Sequence, residues 1–264
     1  MKCWILYERK DLEQNRFFAE HLRDAGNELG LECSIVTIED ADYDNVPEII
    51  VSRIRDPDIL VDLEDRGATV FNSSSVCRIC NDKALTYSMV RELGVPVLKY
   101  AFPEEPLPEG PPWVVKSCYG HGGTEVFKAE TEEEVSKYVA DLSGRKPIIQ
   151  SFANNPGKDL RVYVLGGRII ASVMRTSEID FRANYKLGGS AEVVEPDEMV
   201  VEFVNKIIPE LKADFVGIDF VFGDGWVYLN EIEDVVGTRM LYALTRLDPA
   251  KMYMGYIAHS KISL

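Results

Sequence analysis

The chain has 264 residues, enough for about two domains and a sizeable buried core. It carries 44 acidic against 29 basic residues, a net charge of −15, which argues against nonspecific binding to nucleic acid or an anionic membrane. No apolar run approaches the ~18 residues of a membrane span. The apolar core of "MKCWILYERK" is too short for a signal peptide, so a cytoplasmic protein is expected.

Strands and helices alternate at the start of the chain. "CWILYE" reads as a strand, followed by a helical stretch with Phe18, Leu22, Ala25 and Leu29 on one stripe. "CSIVTI" and "EIIVSRI" are short strands, and "DPDILVDLEDRG" is a helix with Pro57 in its first turn and Gly67 past its end. "ATVF" closes a series that predicts a small parallel α/β layer. No glycine follows the first strand closely, so the dinucleotide fingerprint is absent. Cys77 and Cys80 in "CRIC" lack a second pair at similar spacing. They read as small apolar residues on one helical turn, kept reduced, rather than as zinc ligands.

"NDKALTYSMVRELGVPV" predicts an amphipathic helix ending at Gly94 before Pro96. The proline-rich "FPEEPLPEGPP" (102–112) reads as a linker and is the clearest boundary signal in the chain. "WVVKS", a glycine-rich turn and "EVFKA" follow. "TEEEVSKYVADLSG" then predicts a helix with Thr131 and Glu134 in a capping box and Val135, Tyr138, Val139 and Leu142 on one face. "PIIQSF" is another strand, and "DLRVYVLGGRIIASVMR" a hairpin turning on Gly166 and Gly167. A polar loop (176–190) precedes the helix "DEMVVEFVNKIIPEL" and a second hairpin, after which "GTRMLYALTRL" leads into a helical C-terminus.

The second hairpin, "GIDFVFGDGWVYLNEIED" (217–234), carries the most informative residues. A three-residue loop at "GDG" pairs Phe222 with Trp226, Asp219 with Leu229 and Gly217 with Glu231. Alternation then sets Asp219, Glu231 and Glu233 on one face, with open space at Gly217 opposite Glu231. Two carboxylates ~4 Å apart repel by about 4 kcal/mol at an effective dielectric near 20, so protons, basic neighbours or cations must offset them. Oxygen-only ligands suit hard ions such as magnesium. On these residues alone, a solvated edge strand is an equally good account. The stretch "VVKSCYGHGGTEVF" sets Lys116 ahead of Gly120, Gly122 and Gly123. It is no Walker A loop; it reads as an ordinary hairpin loop or as a flap over phosphates.

Together, a lysine-plus-glycine flap, a carboxylate hairpin and a basic loop between them are the parts of an Mg–ATP site. Here the chain resembles the ATP-grasp superfamily, especially the RimK-type glutamate ligases and their glutathione-synthetase-like relatives. The resemblance rests on five motifs in order: "VFNSSSVCRICNDKALTYSMVRELGVPV", "WVVKSCYGHGG", "IIQSFANNPGKDLRVYVLGGRIIASVMR", "DFRANYKLGG" and "GIDF…LNEIE". It implies an α/β chain with the ATP-grasp fold (an α+β grasp) and a Rossmann-like N-terminal domain. The implied divisions are a pre-grasp domain at 1–80, a central lid subdomain at 81–155 and a C-terminal subdomain with the metal site at 156–264.

Carried onto this sequence, the resemblance implies that Lys83 and Lys116, with Gly120, Gly122 and Gly123, meet the ATP phosphates. Gln150, Ser151, Phe152 and Ala153 would form the adenine hinge, largely through backbone, and Asp159 would lie near the ribose or the substrate channel. Asp219, Glu231 and Glu233 would bind Mg2+ (or Mn2+). Arg161, Arg175, Arg182, Asn184 and Lys186 would surround the transferring phosphoryl or a substrate carboxylate, with Lys116, Arg161 and Arg175 catalytic. The implied activity joins a small-molecule or peptide carboxylate to an amino-acid amine through an acyl phosphate, releasing ADP and phosphate, with loop 176–190 as a lid. Related ligases often assemble as homo-oligomers.

The sequence departs from the family pattern at three places. Glu233 stands where the family usually has Asn, Ser151 where the hinge usually has an acidic residue, and "EDVVGTRM" replaces the usual turn after the metal strand. In that last segment Arg239 is a candidate for a substrate carboxylate, as are Arg53 and Arg55 in "VSRIRD". Two rival readings are a nucleotide-binding homologue with a regulatory or scaffolding role and a kinase that stops at the phosphorylated carboxylate.

Overall fold

In the computed structural model, which describes residues 1–178, 180–182 and 189–262, the alternating N-terminal segments form a parallel sheet. Its elements are β1 (Lys2–Tyr7), α1 (Arg9–Glu28), β2 (Glu32–Thr37), β3 (Ile49–Ser52), α2 (Pro57–Asp65) and β4 (Thr69–Phe71), with strand order β2-β1-β3-β4. Helix α1 buries Phe18, Leu22 and Ala25 as predicted, but Leu29 at its C-cap is exposed and Leu31 takes the buried position. The chain leaves the helix at Gly30, whose positive φ turns the stripe away. Helix α2 starts where Asp56 accepts hydrogen bonds from the amides of Asp58 and Ile59, with Pro57 in the first turn. Gly67, at φ 96°, ends that segment.

Two helices, α3 (Ser74–Cys80) and α4 (Lys83–Glu92), lead to an antiparallel sheet. It contains β5 (Tyr100–Ala101), β6 (Trp113–Ser117), β7 (Val126–Ala129) and β8 (Pro147–Ser151), in the order β5-β8-β6-β7, with α5 (Glu132–Asp141) against it. The proline-rich stretch is therefore no boundary. It joins β5 to β6 within one sheet and is held there, the Trp113 indole donating to Pro108 O at 2.8 Å. Cys77 and Cys80 are buried on α3, and all five cysteines are unbridged.

The third sheet is antiparallel and built from β9 (Lys158–Leu165), β10 (Arg168–Thr176), β11 (Ser190–Val193), β12 (Phe215–Gly223) and β13 (Trp226–Glu233), in the order β11-β10-β9-β12-β13. Helix α6 (Glu198–Leu211) covers one face, its Val200, Phe203, Val204 and Ile207 packing with Leu160, Val162, Ile218 and Phe220. On the other face Tyr163, Leu165 and Phe215 join a core shared with α1, α7 (Arg239–Leu244) and α8 (Pro249–Ile262). Alternation along β9 thus divides one strand between two cores, with its charged residues at one end. Strands β5 and β11 were not foreseen; they run two and four residues, too short for a periodicity. Among the described residues, no helix is long and apolar enough to cross a membrane.

Asn72 ties the first sheet to the third. Its amide donates to Phe215 O at 2.8 Å and Asp234 O at 3.1 Å, while its Oδ1 accepts from the amides of Asp214 and Phe215. The residue is buried, so truncation takes a partner from each of these backbone groups. Asn72→Ala is expected to lower unfolding stability by about 2–4 kcal/mol in urea titrations. An unchanged midpoint would show that the contact between the sheets does not depend on this side chain.

Candidate functional site

The hairpin β12–β13 turns through two residues, not three. Gly223 pairs with Trp226, and Asp224 and Gly225 take positive φ values of 51° and 76°, as a type I′ turn requires. Continued without interruption, that register would pair Asp219 with Asn230 and send Glu231 and Glu233 to the opposite face. A bulge at Asn230 corrects the parity: Phe220 pairs with Leu229, but Asp219 pairs with Glu231 and Gly217 with Glu233. The three carboxylates therefore share a face, as the sequence predicts, through a different register. The position at Gly217 is not open either. A Cβ there would lie 2.6 Å from Val236 Cγ2 and 3.4 Å from Arg161 Cδ, so only glycine admits both side chains.

Asp219, Glu231 and Glu233 each bring a carboxylate oxygen within 4.8 Å of the others. Across the sheet Asp219 faces Arg161 of β9, and Arg175 of β10 faces Asp159. Arg161 donates to both oxygens of Asp219, at 2.7 and 2.6 Å, and its Nη2 lies 2.7 Å from Glu233 Oε1. Arg175 grips Asp159 at 2.5 and 2.8 Å and also reaches Asp219 Oδ2 at 2.7 Å. Burial raises the pKa of Asp219, but the two arginines outweigh it and hold the carboxyl down at about 2. Asp159 has less compensation, and burial pushes it up to about 6 against the pull of Arg175. Glu233 is also raised, by burial and then by Asp219 and Glu231, with Arg161 opposing. The oxygen-only donor set at Asp219, Glu231 and Glu233 fits a hard divalent cation.

Helix α4 and the second sheet supply one lysine each. Lys83 opens α4 and donates to Gly120 O at 2.5 Å, with Glu231 Oε2 at 3.3 Å. Lys116 of β6 donates to Asn230 Oδ1 at 3.1 Å and lies 5.5 Å from the centre of the Tyr87 ring. Burial pushes its ammonium down to about 8, with Glu231 partly opposing. Tyr87, one helical turn after Lys83, donates its hydroxyl to Asn230 O at 2.8 Å and accepts from Gln150 at 3.4 Å. Tyr87 and Asn230 were not singled out from sequence. The Lys83–Tyr87 spacing puts both on one helix face and was the available signal; the bulge at Asn230 had none.

The glycine loop turns with Gly122 and Gly123 at φ 65° and 75°. Arg182 pairs with Asp180 at 2.7 Å and donates to Gly123 O at 2.7 Å, joining the basic loop to the flap. Asn184 and Lys186 lie outside the described residues. At the hinge, the amides of Ser151 and Phe152 donate to Lys99 O and Pro112 O, and the Phe152 ring lies 5.6 Å from that of Phe181. Arg53 is not set out to bind an acid. It is buried, donates to Val236 O at 2.8 Å and lies over the Phe18 ring. Arg239 is exposed and donates to Gln14 O at 3.2 Å.

The model of the RimK-like ATP-grasp domain family matches residues 107–257. The chain is 26% identical over 254 residues to an uncharacterised protein of Mycoplasma pneumoniae, covering 94% of this chain and 88% of that one. It is 28% identical over 210 residues to the glutamate–LysW ligase ArgX of Sulfurisphaera tokodaii, covering 74% of each. Among solved structures, D-cycloserine synthetase DcsG superposes with a TM-score of 0.76 at 17% identity, over 98% of this chain and 99% of that one, a likeness of fold.

Lys116 sets a pH dependence with opposite signs for stability and for anion binding. Its proton leaves near pH 8 in the folded chain and in the ordinary lysine range in the unfolded one. Its contribution to stability therefore rises with pH across that interval. Attraction for phosphate is complete below that pH and lost above it. Affinity for a nonhydrolysable ATP analogue with Mg2+, followed by calorimetry, is expected to fall about tenfold from neutral pH to about pH 9.5. Lys116→Met should bind weakly with little slope; an equally steep profile in that variant would place the titration elsewhere.

Proposed function

The chain belongs to the RimK-like ATP-grasp family and is an ATP-dependent carboxylate–amine ligase, and we propose that it works through an acyl phosphate formed among its three sheets. The observation that carries this is the contact between Lys116 Nζ of the second sheet and Asn230 Oδ1 of the third, at 3.1 Å. It brings Lys116 and the glycine loop of one sheet, with Lys83 of α4, to the carboxylates and arginines of the other. The same reading divides the chain at 1–80, 81–155 and 156–264, around one sheet each.

In this reading Lys83, Lys116 and the amides near Gly120, Gly122 and Gly123 hold the phosphates, and the hinge at Gln150, Ser151, Phe152 and Ala153 takes the adenine. Mg2+ at Asp219, Glu231 and Glu233 would supply charge neutralisation between the phosphates. The γ-phosphoryl leaves ADP and bonds to a substrate carboxylate oxygen. The amine nitrogen then bonds to the acyl carbon, phosphate leaves with the C–O electron pair, and the nitrogen gives up a proton. No protein nucleophile takes part. Lys116, Arg161 and Arg175 stabilise charge that grows on the transferring group; ion pairs hold the two arginines in place beforehand and Asn230 holds Lys116. Asp159 orients Arg175. Arg182, tied to Gly123, joins the basic loop to the flap, a contact that suits a lid role for that loop in keeping water from the acyl phosphate. The amine donor is an amino acid, glutamate first among candidates because a relative is named a glutamate ligase. The acid is a small molecule or a peptide.

Nucleotide product analysis tests the mechanism. With Mg–ATP and pooled amino acids, dipeptides and small carboxylic acids, ADP and phosphate should accumulate only when an acid and an amine are both present. AMP with pyrophosphate would overturn the acyl phosphate, and ADP formed with acid alone would indicate a kinase. Lys116→Ala should lower turnover by at least about 100-fold with an unchanged circular dichroism spectrum. A fully active variant would remove Lys116 from the phosphate site.

A further inference from the structure

The C-terminal ends of parallel strands are where an open α/β layer takes its ligands. Strand β3 ends at Ser52 and runs directly into Arg53 and Arg55, beside the β1 end that leads to Asp11. The two arginines have different surroundings. Arg53 is a strut, held between Val236 O and the Phe18 ring. Arg55 meets Asp11 through Nη1 alone, at 3.1 Å, and no other hydrogen bond engages its guanidinium among the described residues. Its side chain is 28% exposed and that of Asp11 22%, so the pair is partly desolvated yet reachable.

Arg53, two residues before Arg55, donates to Val236 O at 2.8 Å, three residues past Glu233, and so sets the end of β3 beside the end of β13. His121, in the glycine loop, is pushed below the usual histidine range by burial, then by Arg55 and Lys83, with Glu231 and Asp11 opposing. His121 follows Gly120, whose carbonyl accepts from Lys83, itself 3.3 Å from Glu231. Arg55 therefore stands on the N-terminal side of the site, at the end of β3 that meets the chain just past the carboxylates. The cations of the third sheet are engaged differently: Arg161 and Arg175 are spent on Asp219, Asp159 and Glu233, and Arg182 on Asp180. A planar fork with most donors unengaged suits a carboxylate, which it grips through two parallel bonds.

We propose that Arg55 binds the carboxylate of the amino-acid amine donor, with Asp11 fixing the guanidinium, so that the donor's amine is presented to the acyl carbon activated beside Lys116. The proposal rests on the ligase reading and adds a specificity residue from the N-terminal sheet. An amino acid thereby enters opposite the nucleotide, and amines without the carboxylate lose the anchor.

Binding to the full chain loaded with Mg2+ and β,γ-imido-ATP tests this. Each of the twenty standard amino acids is titrated into wild type, Arg55→Gln and Arg55→Lys, and the best binder is compared with its decarboxylated amine. Wild type should bind at least one amino acid. Arg55→Gln should weaken it about 10- to 100-fold and Arg55→Lys less, with nucleotide affinity the same in all three. The decarboxylated amine should bind wild type and Arg55→Gln equally. Failure of wild type to bind the nucleotide analogue would overturn the ATP reading itself. Normal nucleotide binding would leave that reading standing while overturning the role of Arg55, if no amino acid binds or Arg55→Gln binds it as wild type does.

Discussion

Asp219 is 1% exposed, and its ionisation is the constraint on which the candidate site depends. A lone carboxylate so buried would take up a proton and could not serve a cation or orient a guanidinium. Arg161 and Arg175 prevent that from two neighbouring strands, one with a two-pronged grip and the other with a single bond. Each arginine also holds a second carboxylate, Glu233 or Asp159. Removing either arginine leaves buried carboxylates short of a partner, which costs about 3–5 kcal/mol, so the arginines hold the row in place. Rigidity of this kind suits a site whose rate comes from fixed charges rather than from a protein nucleophile.

The row of charges needs a particular pleat. Arg175, Asp159, Arg161, Asp219, Glu231 and Glu233 reach one face only because four strands keep the right parity. In β13 that parity comes from the bulge at Asn230. The bulged residue is also the meeting point of the two antiparallel sheets: its side chain accepts from Lys116 and its carbonyl from Tyr87. One irregularity thus aims the carboxylates and receives the lysine above them. On the ligase reading this is where phosphate-binding and metal-binding parts meet, which accounts for a functional bulge in an otherwise regular hairpin.

Much of this was legible in the sequence, and the remainder fails for physical reasons. Strong periodicity gave the strand–helix alternation of the first sheet, the faces of α1 and α5 and the hairpin at Gly166–Gly167. The carboxylate face of Asp219, Glu231 and Glu233 was also foreseen, but through compensating errors. A three-residue turn without a bulge and a two-residue turn with one yield the same parity, and sequence patterning cannot separate them. The proline-rich stretch looked like a boundary because local composition does not reveal that β5 returns to pair with β8. Arg53 and Arg55 looked alike in "VSRIRD"; only the position of Val236, far along the chain, makes one a strut and leaves the other with unengaged donors.

Glu233 shows how the site accommodates a departure from the family pattern. A glutamate in place of the usual asparagine adds a negative charge to a face that already holds two. The charge is met by Arg161 Nη2 at 2.7 Å, the guanidinium that also neutralises Asp219, while Glu231 answers to Lys83 at 3.3 Å. Each of the three carboxylates therefore has a cationic partner within this chain, and a divalent cation must share ligands with arginine and lysine. On the ligase reading the nucleotide would resolve that competition: phosphates held by Lys83 and Lys116 would leave Glu231 available to the cation. Metal and nucleotide would then each favour the charge arrangement that the other requires.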